Sequence, residues 1–321
     1  MATYNRGALL PVVMESLLAD EGAHEIVVVV DGSQDGSFEL LEEMASADRR
    51  VRPFLIENRG KMTARQVGVE AAEGDFVLLF DDDQIADEGL VSGHLETQLL
   101  CPPRTLVVGY VPTPVPERQR GSFTSELYAR AYEFRCDEYE RNPDAILRNL
   151  MTGNLSLRRD DCLRVGLSSP SYTARYHADR DFGLRCLKDG LTATFDRSLS
   201  GIHVYERSAQ AFFSDASDQG RGTAYMHQLH QDVLGPIGPE TLTVNLPPPA
   251  RLLVVASRRE RVRLAVEPVL RAAVQATGAV HLFGLEKRLA QVVRRIEFQR
   301  GILEVQRTLS DCPGAKRDRQ L

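Results

Sequence analysis

Phe76-Val77-Leu78-Leu79-Phe80-Asp81-Asp82-Asp83 sets an unbroken apolar run directly against three carboxylates. A second stretch has the same form, Ile26-Val27-Val28-Val29-Val30 ending on Asp31. Continuous apolar runs of this length read as strands buried on both faces, as in a parallel sheet, rather than as strands with one wet face. Helical patterns lie between them, with Phe38, Leu41 and Met44 in one segment and Met62 to Ala72 in the next, so the order is β-α-β-α-β. That order predicts an α/β fold, a doubly wound, mostly parallel sheet flanked by helices. Ligands of such sheets bind beyond the carboxyl ends of the strands, where Asp31 and Asp81 to Asp83 emerge.

At 321 residues the chain has room for one large α/β domain with an appendage, or for two small domains. Its 43% hydrophobic and 26% charged residues exclude a disordered, collagen-like or multi-span membrane chain. Cys101, Cys136, Cys162, Cys186 and Cys312 are scattered, with no C-x-x-C spacing, which predicts neither a zinc site nor a disulfide framework. A basic n-region followed by an apolar h-region is missing from the first 30 residues. The expectation is therefore a cytoplasmic protein.

The net charge of −6 hides an asymmetry: residues 251–321 hold 15 Lys+Arg against 7 Asp+Glu, while residues 1–250 hold 24 against 38. An acidic body thus carries a basic tail. Within the tail, Leu285, Leu289, Val292, Val293 and Ile296 recur at helical spacing, with Lys287, Arg288, Arg294 and Arg295 on the other side of the wheel. Such a helix either packs against the body or a partner chain, or lies on an anionic bilayer. Two punctuated stretches suggest boundaries: five prolines within residues 101–120, then Gly235-Pro236-Ile237-Gly238-Pro239 followed by Pro247-Pro248-Pro249.

Three segments carry chemistry. Adjacent carboxylates at Asp81, Asp82 and Asp83 repel one another unless a cation neutralises them, and oxygen ligands of this kind suit Mg²⁺ or Mn²⁺. A solvated acidic loop or a set of helix caps explains the triplet about equally well. Asp31-Gly32-Ser33-Gln34-Asp35-Gly36 offers an acidic acceptor for a base or sugar, or simply a tight turn with a helix cap. In Asp179-Arg180-Asp181-Phe182-Gly183-Leu184-Arg185-Cys186, the two aspartates fall at a helix start, where capping alone would account for them.

In this order the pieces resemble the family 2 glycosyltransferases, whose fold is the GT-A nucleotide-sugar-transferase type. The resemblance runs from about residue 2 to residue 230 and begins at Thr3-Tyr4-Asn5-Arg6. It continues through Asp31 to Gly36, Asn58-Arg59-Gly60-Lys61 and Ala64-Arg65, then the D-x-D at Asp81-Asp82-Asp83. Thr152-Gly153-Asn154-Leu155-Ser156, the Asp179 segment and Gly201-Ile202-His203 complete it.

The resemblance implies an inverting transfer of a sugar from a nucleotide-diphosphate donor, a UDP-sugar above all, to an acceptor hydroxyl, with Mn²⁺ or Mg²⁺ as cofactor. Thr3, Tyr4, Asp31, Arg65, Asp81 and Asp82 would bind the donor nucleotide, with Asp31 facing the base. Asp83, with Asp81 and His203, would hold the metal. Asp179 would be the catalytic base, and Gly153 and Asn154 would lie beside donor sugar and acceptor. The divisions expected are a nucleotide-sugar-binding half over 1–100, an acceptor-binding and catalytic half over 101–235, and a basic helical extension over 251–310. Partners expected are the nucleotide-sugar and a glycan, lipid-linked or small-molecule acceptor, with no nucleic acid. The basic tail adds peripheral contact with the inner face of the membrane, or self-association.

Two departures stand out. Ala178 fills the place where the family usually has glutamate, and Val30 the place of the first of two aspartates. A sugar-phosphate nucleotidylyltransferase would want a glycine-rich, basic N-terminal loop, which Tyr4-Asn5-Arg6-Gly7-Ala8 does not supply. A non-catalytic binding subunit would have no need of the retained Asp179. The family's T-Y-N-R follows an apolar strand, whereas only Met1 and Ala2 precede Thr3 here. The expectation is an abbreviated N-terminus, with residues 1–5 at most a stub strand in the gap.

Overall fold

Both apolar runs become strands in the computed structural model, which describes residues 1–311 except 173, 239–240 and 242–245. Pro239, Cys312 and the last basic residues of the tail lie outside the described residues. In chain order, β1 (Ala2–Thr3), α1 (Leu10–Leu18), β2 (Ile26–Asp31), α2 (Ser37–Ala47), β3 (Val51–Ile56) and α3 (Lys61–Ala71) lead to β4 (Phe76–Phe80). There follow β5 (Gln84–Ala86), α4 (Leu90–Leu100), β6 (Thr105–Tyr110), α5 (Phe123–Arg141), α6 (Asp144–Arg148), β7 (Asn154–Arg158), α7 (Arg159–Val165), α8 (Ala178–Lys188) and β8 (Thr192–His203). The remaining described elements are helices: α9 (Ala209–Leu229), α10 (Gln231–Leu234), α11 (Pro248–Ala256), α12 (Glu260–Ala279) and α13 (Phe283–Asp311).

The chain divides into two compact units. The first comprises Met1–Pro114, Ala129–Pro170 and Ala178–Tyr205, the second Val115–Tyr128, Ser171–His177 and the residues from Glu206 onward. The Gly/Pro punctuation around 235–249 therefore falls inside the second unit, whose long helix α9 already precedes it.

In the first unit, β1, β2 and β3 form a parallel sheet, and β2 is buried along its whole length. A second sheet runs β4-β7-β6-β8-β5. There β7 is antiparallel to both β4 and β6, while β6 and β8 are parallel. The β4–β7 pairing sets Phe80 opposite Asn154, and the β5–β8 pairing sets Gln84 opposite His203. These two registers carry residues distant in sequence to the end of β4. Leu79, Leu106, Leu155, Leu157 and Phe182 form one core beneath the second sheet, while Leu10, Met14, Val28, Val30 and Leu41 form another around the first.

The N-terminal residues make only the stub strand β1, whose Ala2 and Thr3 register with Val29 and Val30. Among the described residues β1 pairs with β2 alone and β4 with β7 alone. A cavity of about 440 Å³ lies between Ile26 and Val27 on one side and Phe76 to Phe80 on the other, with Met1 at its wall.

The second unit is helical. α9 and α13 approach backbone to backbone because Gly220 and Gly301 face the opposing chain, where a Cβ on either would collide with Phe298 O or Ser217 O. The apolar seam expected around Leu285 to Ile296 is used internally from Leu289 onward, while Leu285 is exposed: Leu289 and Val293 pack with Phe212, Phe213 and Val274, and Val292 and Ile296 with Val254. Lys287 pairs with Glu126. Glu297, almost fully buried, is held by Arg271 and Arg300. Among the described residues no helix is long and apolar enough to cross a membrane.

Candidate active site

The site grows from the carboxyl end of β4. Asp81 N donates to Gly153 O at 3.0 Å, which continues the β4–β7 ladder one step past the strand. A Cβ at Gly153 would press on the Gln84 amide and come within 2.8 Å of Asp81 Oδ2, so a side chain here would displace both. Lys61 and Arg65 occupy successive turns of α3 and share a face. Both reach the same oxygen: Lys61 Nζ lies 2.7 Å and Arg65 Nη2 2.5 Å from Asp81 Oδ1. The Arg65 side chain is 1% exposed and also donates to Thr152 Oγ1 at 2.5 Å and Thr152 O at 3.1 Å.

Burial would raise the Asp81 carboxyl, but Lys61 and Arg65 outweigh it and hold it well below the usual carboxylate range. Repulsion among the three aspartates does not by itself demand a metal, because Lys61 and Arg65 already neutralise Asp81.

Asp83 has a different setting. Arg6 Nη2 is 3.3 Å from its Oδ2, and His203 Nε2 is 3.6 Å from its Oδ1. The other ring nitrogen, His203 Nδ1, lies 3.0 Å from Thr113 Oγ1. Val204 N donates to Asp83 O at 2.8 Å, so the β5–β8 pairing fixes the two residues side by side. A hydroxyl on Nδ1 leaves Nε2 turned toward the carboxylate, the usual support for a metal-binding imidazole. Asp83 and His203 together fit a divalent cation. Among the described residues no group of three or more His, Cys, Asp or Glu side chains forms a complete cage. That suits Mn²⁺ or Mg²⁺, which take one or two protein ligands and complete their shell with phosphate oxygens and water. Burial raises the Asp82 carboxyl, the Thr3 hydroxyl opposes that shift, and the charges of Asp83 and Asp81 add to it.

The structure thus brings together Thr3, Arg65, Asp81, Asp82, Asp83, Gly153 and His203. Other expected residues are placed less simply. Asp31 is buried, and both its oxygens are engaged by backbone, accepting from Arg59 N at 2.7 Å and Gly60 N at 2.9 Å. Its immediate work is to hold the turn that opens α3, and so to aim Lys61 and Arg65. Tyr4 is half-exposed. It sits on a loop that Asn5 ties to the β2–α2 turn through Ser33 and Gln34. Asn154 is buried with its amide spent inside the fold, accepting at Oδ1 from His94 Nε2 at 2.8 Å and donating to Leu199 O at 2.9 Å. Asp179 lies half-buried in the first turn of α8, and its carboxylate has no hydrogen bond or ion pair among the described residues.

Sequence reasoning did not assign Arg6, Lys61, Gln84, Thr113 or Thr152 a place in the site. Gln84 Oε1 is buried without a hydrogen-bond partner among the described residues. For Lys61 a signal was available in its spacing four residues before Arg65, and for Thr152 in its place at the head of the Thr152-Gly153-Asn154 segment; for Thr113 only the strand registers reveal it.

Residues 1–160 match the profile of the family described as glycosyl transferase family 2. Those residues belong to glycosyl transferase family 2. The family 2 segment is 30% identical over 144 residues to a glucosyl-dolichyl phosphate glucuronosyltransferase of Haloferax volcanii, a match covering 44% of this chain and 45% of that protein. It is 33% identical over 90 residues to the glycosyltransferase GlyG of Streptococcus pneumoniae, covering 27% of this chain and 30% of that one. The matches therefore span less than half the length of these curated relatives. Among solved structures, a mannosyltransferase of Pyrobaculum calidifontis, in complex with GDP-Man and Mn²⁺, superposes with a TM-score of 0.58 at 14% identity, covering 95% of this chain and 85% of that one. At that identity the likeness concerns the fold, which is of the GT-A type.

Proposed function

We propose that the protein is an inverting, divalent-metal-dependent glycosyltransferase that moves a sugar from a nucleoside diphosphate onto an acceptor hydroxyl. The observation that carries this reading is the pairing at the end of β4: Asp83 beside His203, and Asp81 beside Lys61 and Arg65. One side is a carboxylate and an imidazole suited to a cation, the other a cluster of positive charge suited to a diphosphate. The Mn²⁺ and GDP-Man of the Pyrobaculum mannosyltransferase support carrying both ligands over.

The reaction sets the roles. As the bond from the anomeric carbon to the diphosphate breaks, negative charge accumulates on the leaving oxygens. A divalent ion held by Asp83 and His203 would supply Lewis-acid stabilisation of that charge. Lys61, half-exposed at the start of α3, adds a mobile positive charge beside it. Arg65, buried and fixed by Thr152, fixes the Asp81 carboxylate in turn. Thr3, with Asp82 against it, contributes to the nucleoside side.

On the acceptor side, Asp179 takes the hydroxyl proton while the acceptor oxygen forms its bond to the anomeric carbon. Among the described residues its carboxylate makes no hydrogen bond or ion pair, which leaves both oxygens open to an acceptor hydroxyl. A single displacement of this kind inverts the anomeric configuration. Gly153, with no side chain, leaves room for the sugar next to Asp81 and Gln84.

The test is a panel of UDP- and GDP-sugars with Mn²⁺ or Mg²⁺, following release of the nucleoside diphosphate with and without glycan and lipid-phosphate acceptors. Release stimulated by an acceptor is expected. Tight nucleotide binding without release on any donor–acceptor pair would favour a non-catalytic binding subunit instead.

A further inference from the structure

Gln84 is the first residue of β5, one place past Asp83 and paired in register with His203. It is 7% exposed. Among the described residues its carboxamide makes no hydrogen bond, and Oε1 is sealed from solvent. A primary amide carries two donors and an acceptor with two lone pairs, and buried groups of this kind are almost always paired. The contrast is Asn154, whose amide is spent on His94 and Leu199. Gln84 is packed in place with its hydrogen-bonding capacity unused, and an orphan amide of this sort in a binding site finds its partner in water or in the ligand.

The amide has a defined target. The point where a Cβ on Gly153 would stand lies 2.4 Å from Gln84 Nε2 and 2.8 Å from Asp81 Oδ2. Both atoms therefore border one small space, open because residue 153 has no side chain. Lys61 and Arg65 both bond to Asp81 Oδ1, and Oδ2 accepts nothing among the described residues. That oxygen, on an ion-paired carboxylate, only accepts. Gln84 Nε2 only donates, and the opposite setting of the amide would turn Oε1 toward a second acceptor across the same space. A ligand atom between them must accept from one and donate to the other. A hydroxyl does both, whereas an ammonium only donates and a carboxylate or phosphate oxygen only accepts.

We propose that Gln84 is a specificity-determining residue: its amide donates to one hydroxyl of the donor sugar, and that hydroxyl donates to Asp81 Oδ2 above Gly153. The donors selected are nucleoside diphosphate sugars with a free hydroxyl at that position, and deoxy or O-substituted sugars are discriminated against. Such a site rejects the analogue without the hydroxyl because its own buried polar groups are then left unpaired. The assignment rests on the proposed transfer reaction, which supplies the sugar. It also gives the free protein a signature. An amide that forgoes water without gaining a partner is destabilising, so Gln84→Met, similar in length but apolar, should leave the urea midpoint unchanged or raise it.

Calorimetric titrations in Mn²⁺ compare wild type and Gln84→Met with UDP, GDP, UDP-glucose, GDP-mannose and the monodeoxy derivatives of both sugar nucleotides. The variant should bind UDP and GDP within about twofold of wild type, and the better sugar nucleotide about 10–100-fold more weakly. One monodeoxy donor should show that same loss on wild type and little further loss on the variant, the non-additivity expected of two groups in contact. Equal affinities of the two proteins for both sugar nucleotides would overturn the assignment and leave the transfer reaction standing. So would deoxy penalties that match on both proteins. A lowered urea midpoint would make the amide a structural residue, and a loss of Mn²⁺-dependent UDP and GDP binding in the variant would make it a cation ligand; either overturns the assignment. Wild type that binds neither UDP nor GDP would remove the transfer reaction, and this role of Gln84 with it.

Discussion

His203 Nε2 stands 3.6 Å from Asp83 Oδ1, with His203 Nδ1 anchored by the Thr113 hydroxyl. The gap is too wide for a hydrogen bond and close to that between two ligand atoms on one ion, about 3 Å for adjacent ligands at octahedral distances of about 2.1 Å.

His203→Ala should therefore weaken Mn²⁺-dependent binding of a nucleoside diphosphate, and Thr113→Val should weaken it by about 10–100-fold through loss of the imidazole's orientation. Calorimetric titration of UDP and GDP in the presence of Mn²⁺ measures both. Unchanged affinity in both variants would place the cation elsewhere.

Asp179→Asn keeps the shape of the side chain and removes its basicity. Nucleotide affinity should stay within about twofold of wild type while turnover falls by about 10²–10⁴. Near-normal turnover would show that another group takes the acceptor proton.

Arg65 and Lys61 share Asp81 but not its burial. Arg65→Met leaves the Asp81 carboxylate and Thr152 without their buried partner, and should cost about 3–5 kcal/mol of stability. Lys61 is 49% exposed. Lys61→Met should cost less than about 1 kcal/mol yet slow turnover, because its charge is needed at the diphosphate. Urea unfolding of the two variants checks the contrast, and equal losses would contradict it.

Acid sensitivity has a named source in His94. Burial lowers its pKa to about 4, with Asn154 and Ser156 bonded to its two nitrogens. A base whose folded pKa lies below its unfolded value of about 6.5 binds fewer protons when folded, so stability rises with pH across that window. Falling from pH 6.5 to pH 4 should cost about 3 kcal/mol from this group alone. Urea midpoints for wild type and His94→Gln over that range provide the check; the variant should show a shallower dependence.

What was legible in the sequence is what is local. The strands β2 and β4 follow from unbroken apolar runs, and the D-x-D from its position just past one of them. The packing of the Leu289–Ile296 seam followed one of the two uses its periodicity allowed. The rest depends on registers between distant segments. Arg6 and Asp83 are 77 residues apart in the chain and meet only because both sit at strand ends. Thr113 meets His203 because β6 and β8 run side by side. Asp31 shows how one motif carries two uses: it suggested a ligand to a base, and each of its oxygens accepts one amide, of Arg59 or Gly60, with acceptor capacity left over. A carboxylate in a glycine-containing turn serves either end, and sequence does not distinguish them.

Release of nucleoside diphosphate by the full chain, measured with donor and acceptor in Mn²⁺ and again in excess chelator, tests metal-assisted transfer most directly. The expected result is turnover that disappears in chelator and returns when Mn²⁺ is restored in excess. Undiminished turnover in chelator would contradict it, and would leave basic side chains such as Lys61, Arg65 and Arg6 to neutralise the departing charge.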